Sequence, residues 1–236
     1  MNSPVLITGV GKRIGLALSR HFLDKGMPVI GTYRSHYSTI DELADKGASL
    51  YAVDFYDQPQ LDELIAEIRS QHASLRAIIH NASDWLPDDN DLGPAQTLQR
   101  MMQIHASVPY QMNHALHDRL LAHRGSFSDI IHISDYVTAR GSKKHIAYAA
   151  SKAALDNLTL SFAAALAPDI KVNTIAPALM RFNEGDTEAY REKALSKALI
   201  QKEGGFGEVI AAVEYLLQSE YVTGRTLHLD GGRHLK

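Results

Sequence analysis

The sequence predicts an α/β protein. The expected form is one doubly wound domain over residues 1–236, with a seven-stranded parallel sheet flanked by helices. Two observations carry this expectation. Short apolar runs rich in β-branched residues alternate with longer stretches of helical period. Those runs carry apolar residues on both faces, as expected of strands covered on both sides. The expected strands are 5–8, 28–33, 49–54, 77–80, 129–134, 171–175 and 226–229. The expected helices are 14–25, 38–46, 58–71, 96–123, 145–167, 187–199 and 207–217. No internal repeat, low-complexity tract or linker interrupts this rhythm.

Composition narrows the function. A hydrophobic fraction of 45% with 22% charged residues is that of a globular domain. A formal net charge of −3 and the lack of a basic stripe argue against nucleic acid as a partner. With no cysteine, disulfides, thiolate metal sites and cysteine nucleophiles are excluded. The twelve histidines are scattered and form no His-Glu-x-x-His pattern, so no metal site is expected. Met1-Asn-Ser-Pro-Val-Leu-Ile-Thr-Gly9 enters a strand at once, and no apolar run has the length of a membrane span. The expectation is a cytoplasmic protein that is neither targeted to nor anchored in a membrane.

Three segments carry chemistry. Thr8-Gly9-Val10-Gly11-Lys12-Arg13-Ile14-Gly15 joins the first strand to the first helix. Glycines there let backbone N–H groups approach a pyrophosphate at a helix N-terminus, the Rossmann-like arrangement. The second strand ends in Arg34, where an NAD site would carry an acid. With Lys12 and Arg13 in the turn, the cations favour the 2′-phosphate of NADPH. Tyr148 and Lys152 stand four apart on an expected helix, so they share a face. That spacing predicts that the ammonium lowers the phenol pKa into the range useful for proton transfer. Two loops, 84–94 with the lone tryptophan and 178–185, follow strands at the carboxyl edge where open sheets bind ligands.

Together these segments resemble the short-chain dehydrogenase/reductase family over essentially the whole length. The matching pieces are the Thr8–Gly15 turn, Val53-Asp54, Asn81-Ala82-Ser83, Tyr148-x-x-x-Lys152, Val172-Asn-Thr-Ile-Ala-Pro177 and Thr223-Gly-Arg225 with Leu229-Asp-Gly-Gly232. The resemblance implies cofactor contacts from Gly9, Gly11, Lys12, Arg13, Ile14, Arg34, Asp54, Asn81, Ala82, Ser83, Tyr148, Lys152 and Pro177. It assigns Asp54 to adenine and Lys152 to the nicotinamide ribose.

The departures from the family pattern point further. Asp135 stands where most members have serine, His105 where they have asparagine, and Arg13 and Ala178 where they have glycine. These resemble the pteridine reductase branch. By that resemblance the substrate is a dihydropterin or a dihydrofolate, reduced at a C=N bond. Tyr148, Asp135 and Lys152 are the expected catalytic group. Arg13, Ser83, Trp85, Asp135 and Tyr148 are the expected substrate contacts, with Trp85 stacking on the pterin and Ser83 or Arg13 meeting a phosphate or the oxo group. A carboxyl suits such a ring because it accepts from ring N–H groups when ionised and donates to a ring nitrogen when protonated. His105 is expected to act either as a helix histidine or as a proton relay titrating near neutrality. The family also implies a homotetramer paired through the helix of Tyr148 and the long helix before it.

Two alternatives remain open. One is a generic carbonyl or 3-oxoacyl reductase using Ser134, although a one-residue offset turns that side chain to the opposite side. The other is an NADPH-binding sensor without catalysis.

Overall fold

A computed structural model describes residues 3–125 and 127–236; Met1 and Asn2, where the expected N-terminal strand entry begins, lie outside the described residues. Seven strands form one parallel sheet in the order β3-β2-β1-β4-β5-β6-β7. They are β1 (Val5–Thr8), β2 (Val29–Tyr33), β3 (Ser49–Ala52), β4 (Ala77–His80), β5 (Ser128–Ile133), β6 (Ile170–Pro177) and β7 (Thr226–Leu229). The helices are α1 (Arg13–Asp24), α2 (Ser38–Asp45), α3 (Gln58–Gln71), α4 (Gly93–Met102), α5 (Val108–Leu121), α6 (Ile146–Leu166), α7 (Glu188–Leu195) and α8 (Phe206–Gln218).

Strand periodicity assigns the two faces. Ile30, Leu6, Ile78, Ile130 and Val172 are in register across five strands and pack against α3, α4, α5 and α6. Their neighbours Val5, Ile7, Ile79, Ile131 and Ile175 point the other way, against α1, α2 and α8. Each fully buried Leu or Ile contributes about 1.5–3 kcal/mol of transfer free energy. The edge strands β3 and β7 are partly exposed along their length.

At the amino edge of the sheet, the fully buried Asp129 carboxylate lies 2.6 Å from Arg76 and 2.7 Å from Lys171. The same two cations donate to the carbonyls of Leu217 and Leu216, which end α8. This cluster ties three strands to a helix terminus.

The predicted single helix over 96–123 is broken by a π-helical turn, Gln103–Ser107. There the Val108 N–H bonds to Gln103 O, five residues back rather than four. Pro109 has no N–H to give His105 O, so the ordinary ladder cannot run through this point. Such bulges recur at functional sites, and this one places His105 beside Tyr148.

The strand order reverses between β1 and β4. At the carboxyl ends of those strands a cavity of about 660 Å³ opens, lined by the glycine turn, the ends of β2, β4, β5 and β6, and both loops singled out in the sequence.

Candidate active site

The glycine turn is held close to β4. Thr8 Oγ1 accepts from the N–H groups of Asn81 and Ala82, each at 2.9 Å. The Asn81 amide donates to Thr8 O at 2.9 Å and Gly9 O at 3.0 Å. Gly9 has φ +76°, and a Cβ there would sit 3.0 Å from the Ala82 backbone. A Cβ on Gly15 would lie 2.1 Å from Gly9 O, so only glycine lets α1 pack this close to the turn. The first turn of α1 has no side-chain cap and no acid. Its N–H groups therefore remain free toward the cavity, which Gly11, Lys12, Arg13 and Ile14 line. Free donors at a positive helix end fit a pyrophosphate.

Arg34, Asp54 and Pro177 line the same cavity, as expected. Arg34 Nη1 lies 3.4 Å from the Asp84 carboxylate, which also accepts from Tyr56 Oη at 3.2 Å. Burial and the nearby Asp84 charge push the Tyr56 phenol up to about 12. Arg100 stacks on that ring at 3.8 Å. Arg13 has φ 55°, a left-handed conformation that explains why glycine is usual at this point. Its guanidinium reaches across the cavity mouth to Asn183 Oδ1 (2.8 Å) and Arg181 O (2.9 Å). The turn and the 178–185 loop are thus joined by the residue expected to contact both cofactor and substrate.

Tyr148 and Asp135 meet as the sequence predicts. The phenol donates to Asp135 Oδ2 at 2.9 Å, while Asp135 Oδ1 accepts from Val137 N at 2.7 Å, capping a short 3-10 turn, Tyr136–Ala139. Both residues line the cavity. Tyr148 is 7% exposed and Lys152 is 2% exposed.

The expected tuning of the phenol is not what the structure holds. Lys152 Nζ donates to Ile133 O at 2.9 Å and lies 5.8 Å from the centre of the Tyr148 ring. Burial and the Asp135 carboxylate push the Tyr148 pKa well above its ordinary value, so the group is a neutral acid rather than a phenolate. Burial pushes Lys152 down to about 8, against the raising influence of Asp135 and Asp156.

His105 is buried and faces the Tyr148 ring edge-on at 5.3 Å. Its Nε2 lies 2.7 Å from Ser83 Oγ and its Nδ1 2.8 Å from Ser151 Oγ, which donates to the backbone carbonyl of Tyr148 at 2.8 Å. Burial, with Lys152 adding to it, drops the imidazole to about 2. Burial thus works against a charged ring near neutrality, and this chain of hydrogen bonds closes on the backbone carbonyl of Tyr148.

Trp85 is 62% exposed and stacks on His145 at 3.9 Å between centroids. His145 Nδ1 lies 3.0 Å from Leu86 O, and the Asp88 carboxylate accepts from Ile146 N at 2.5 Å and Ala147 N at 3.2 Å. The 84–94 loop therefore caps the helix that carries Tyr148. His145, Asp88 and Ser151 were not singled out in the sequence. An Asp before an apolar helix is a cap signal only when it adjoins the helix, and Asp88 acts from a distant loop. Ser134 is buried near Asp156 of α6 and also lines the cavity, but it is Asp135 that receives the Tyr148 phenol.

A family model described as Enoyl-(Acyl carrier protein) reductase matches residues 9–234. A dihydromonapterin reductase of Klebsiella pneumoniae is 52% identical over 233 residues, covering 99% of this chain and 97% of its own. The dihydromonapterin reductase of Escherichia coli K12 has the same identity and coverage. The crystal structure of FolM alternative dihydrofolate reductase 1 from Brucella suis in complex with NADP superposes with a TM-score of 0.86 at 27% identity, over 100% of this chain and 96% of that one. With the sheet order, the Tyr148/Lys152 pair and full-length similarity in agreement, the chain belongs to the short-chain dehydrogenase/reductase family.

Proposed function

We propose that the protein reduces 7,8-dihydromonapterin, and more weakly dihydrofolate or other dihydropterins, to the tetrahydro form with NADPH. The observation that carries this reading is the 2.9 Å hydrogen bond from Tyr148 to Asp135 inside the cavity. The similarity to dihydromonapterin reductases over 99% of the chain supports the substrate class. The free N–H groups of α1 would hold the pyrophosphate, Arg34 the 2′-phosphate, Asp54 the adenine and Lys152 the nicotinamide ribose.

When bound, NADPH supplies hydride to C6 of the substrate. The C6=N5 π bond breaks, a C6–H bond forms, and N5 gains a proton. The chain's own part is that proton. Tyr148 stays protonated because burial and Asp135 hold its pKa high. Asp135 fixes the direction of the phenol O–H, and its carboxylate faces the nitrogen that becomes cationic on protonation. The pair delivers the proton to N5 through water, and Trp85 supplies a flat wall for the ring. Stacking of this kind is worth about 0.5–1.5 kcal/mol beyond burial.

The protein works as a single dinucleotide-binding domain and assembles as a cytoplasmic homotetramer. Exposed Leu98, Tyr110 and Leu160 on α4, α5 and α6 support that assembly. Among the described residues no helix is long and apolar enough to cross a membrane. The reading is tested with dihydromonapterin, dihydrobiopterin, dihydrofolate and a simple ketone, each with NADPH, following loss of nicotinamide absorbance. Turnover of the pterins above the ketone is expected. Turnover of ketones or oxoacyl thioesters with none of any dihydropterin would reject it.

A further inference from the structure

The hydrogen bonds around His105 have a direction, and that direction decides what Ser83 offers a ligand. Ser151 spends its hydroxyl proton on the backbone carbonyl of Tyr148, which can only accept. With its proton on that carbonyl, the Ser151 oxygen, 2.8 Å from His105 Nδ1, is placed to accept the ring proton. With Nδ1 protonated and the ring neutral, Nε2 is an acceptor. Ser83 therefore donates to Nε2 at 2.7 Å, in preference to the Asp84 carbonyl at 3.4 Å. Its proton is taken on the buried side, and only its lone pairs face the cavity.

We propose that His105 is a positioning residue that, with Ser151, locks the Ser83 hydroxyl as an acceptor, so that Ser83 recognises an N–H of the substrate ring and repels a ligand oxygen. This assigns Ser83 to an amidine-type N–H rather than to a phosphate or an oxo group. The substrate part rests on the dihydropterin reading. The direction of the lock does not.

Two measurements test it. The spectrum of 15N-histidine-labelled protein with NADPH, with His105 assigned by its loss in His105→Asn, should show a neutral ring protonated at Nδ1 from pH 5.5 to 9 (roughly the span over which an ordinary histidine titrates). A ring protonated at Nε2, or one that titrates, overturns the proposal whatever the substrate.

The second is a double-mutant cycle in dihydromonapterin kinetics. Ser83→Ala and His105→Asn should each raise KM about tenfold, the loss of one well-oriented hydrogen bond, with kcat changing less and NADPH affinity held. The double variant should be no worse than Ser83→Ala. Losses that multiply would mean that His105 acts by a route other than Ser83 and would refute the lock. Ser151→Ala repeats the cycle from the other end and serves if His105→Asn fails to fold. A protein that turned over no dihydropterin would sink the proposed function while the spectrum still decided the lock.

Discussion

Asp135→Asn is the most direct probe of the site. The side chain keeps its shape, and the Val137 N–H at 2.7 Å selects the amide oxygen, so the new NH2 group faces the Tyr148 oxygen now 2.9 Å from a carboxylate. A donor replaces an acceptor, and the phenol proton loses its guide. Losing a hydrogen bond to a charged group costs about 1.5–3 kcal/mol. At 1.36 kcal/mol per decade that alone lowers kcat/KM roughly 10- to 150-fold. Loss of the acid pair adds to this, since positioned proton transfer contributes about 10²–10⁴. The expected result is a fall in kcat of at least about 10²-fold on dihydromonapterin, with NADPH affinity within about twofold. Steady-state kinetics with a parallel NADPH titration measures both. An Asp135→Asn enzyme keeping more than about a tenth of its kcat would refute a role for Asp135 in the chemistry.

Other groups give independent tests. Burial lowers Lys152 to about 8, so the ammonium is present below that pH and lost above it. Therefore kcat/KM for NADPH should fall as pH rises through about 8, and a flat profile through that region would count against Lys152 as the ribose contact. Trp85→Ala should raise KM for the pterin by roughly 2- to 12-fold, the equivalent of a stacking contribution, and abolish any tryptophan quenching by pterin; unchanged KM would remove Trp85 from the site. Asp129→Asn leaves Arg76 and Lys171 without their shared buried partner and should cost about 3–5 kcal/mol in urea unfolding at fixed protein concentration. Activity per folded molecule should be unchanged, because the cluster lies at the opposite edge of the sheet from the cavity.

Most of the fold was legible because the strands announce themselves: β1, β4 and β7 begin and end where the sequence pattern places them. The mainly apolar runs of β1 and β4 reflect burial on both faces, which the sequence pattern reads directly. The break in the helix over 96–123 was harder, because the pattern stays helical through it and only Pro109 marks the point where a hydrogen bond must be missing. In the site, spacing along one helix correctly put Tyr148 and Lys152 on a common face. It carried no information on burial, and burial dominates both groups. The Ile133 carbonyl that takes the Lys152 ammonium comes from another element, as do Ser83 for His105 and Asp88 for the end of α6. Partners supplied by tertiary folding have no sequence period, which is why the chemistry of the site was only half readable.

The sign of the charge at residue 135 separates the two reductions open to this scaffold. Reducing a carbonyl develops negative charge on oxygen, and a carboxylate beside it raises the barrier. Reducing a dihydropterin proceeds with protonation of N5, and a carboxylate beside a nitrogen that becomes cationic lowers the barrier, an effect strongest in a site that excludes water. Before hydride arrives an imine nitrogen is a stronger base than a carbonyl oxygen, and the neighbouring carboxylate favours its protonated, cationic form. Asp135→Ser should therefore lower dihydromonapterin turnover and raise turnover of a simple ketone, so that the ratio of the two kcat/KM values shifts by at least about 10²-fold, the size of one preorganised electrostatic contact. The assay is NADPH oxidation with each substrate on both enzymes. If the serine variant lost both activities in equal proportion, the carboxylate would be a structural support for Tyr148 and not the determinant of which double bond is reduced.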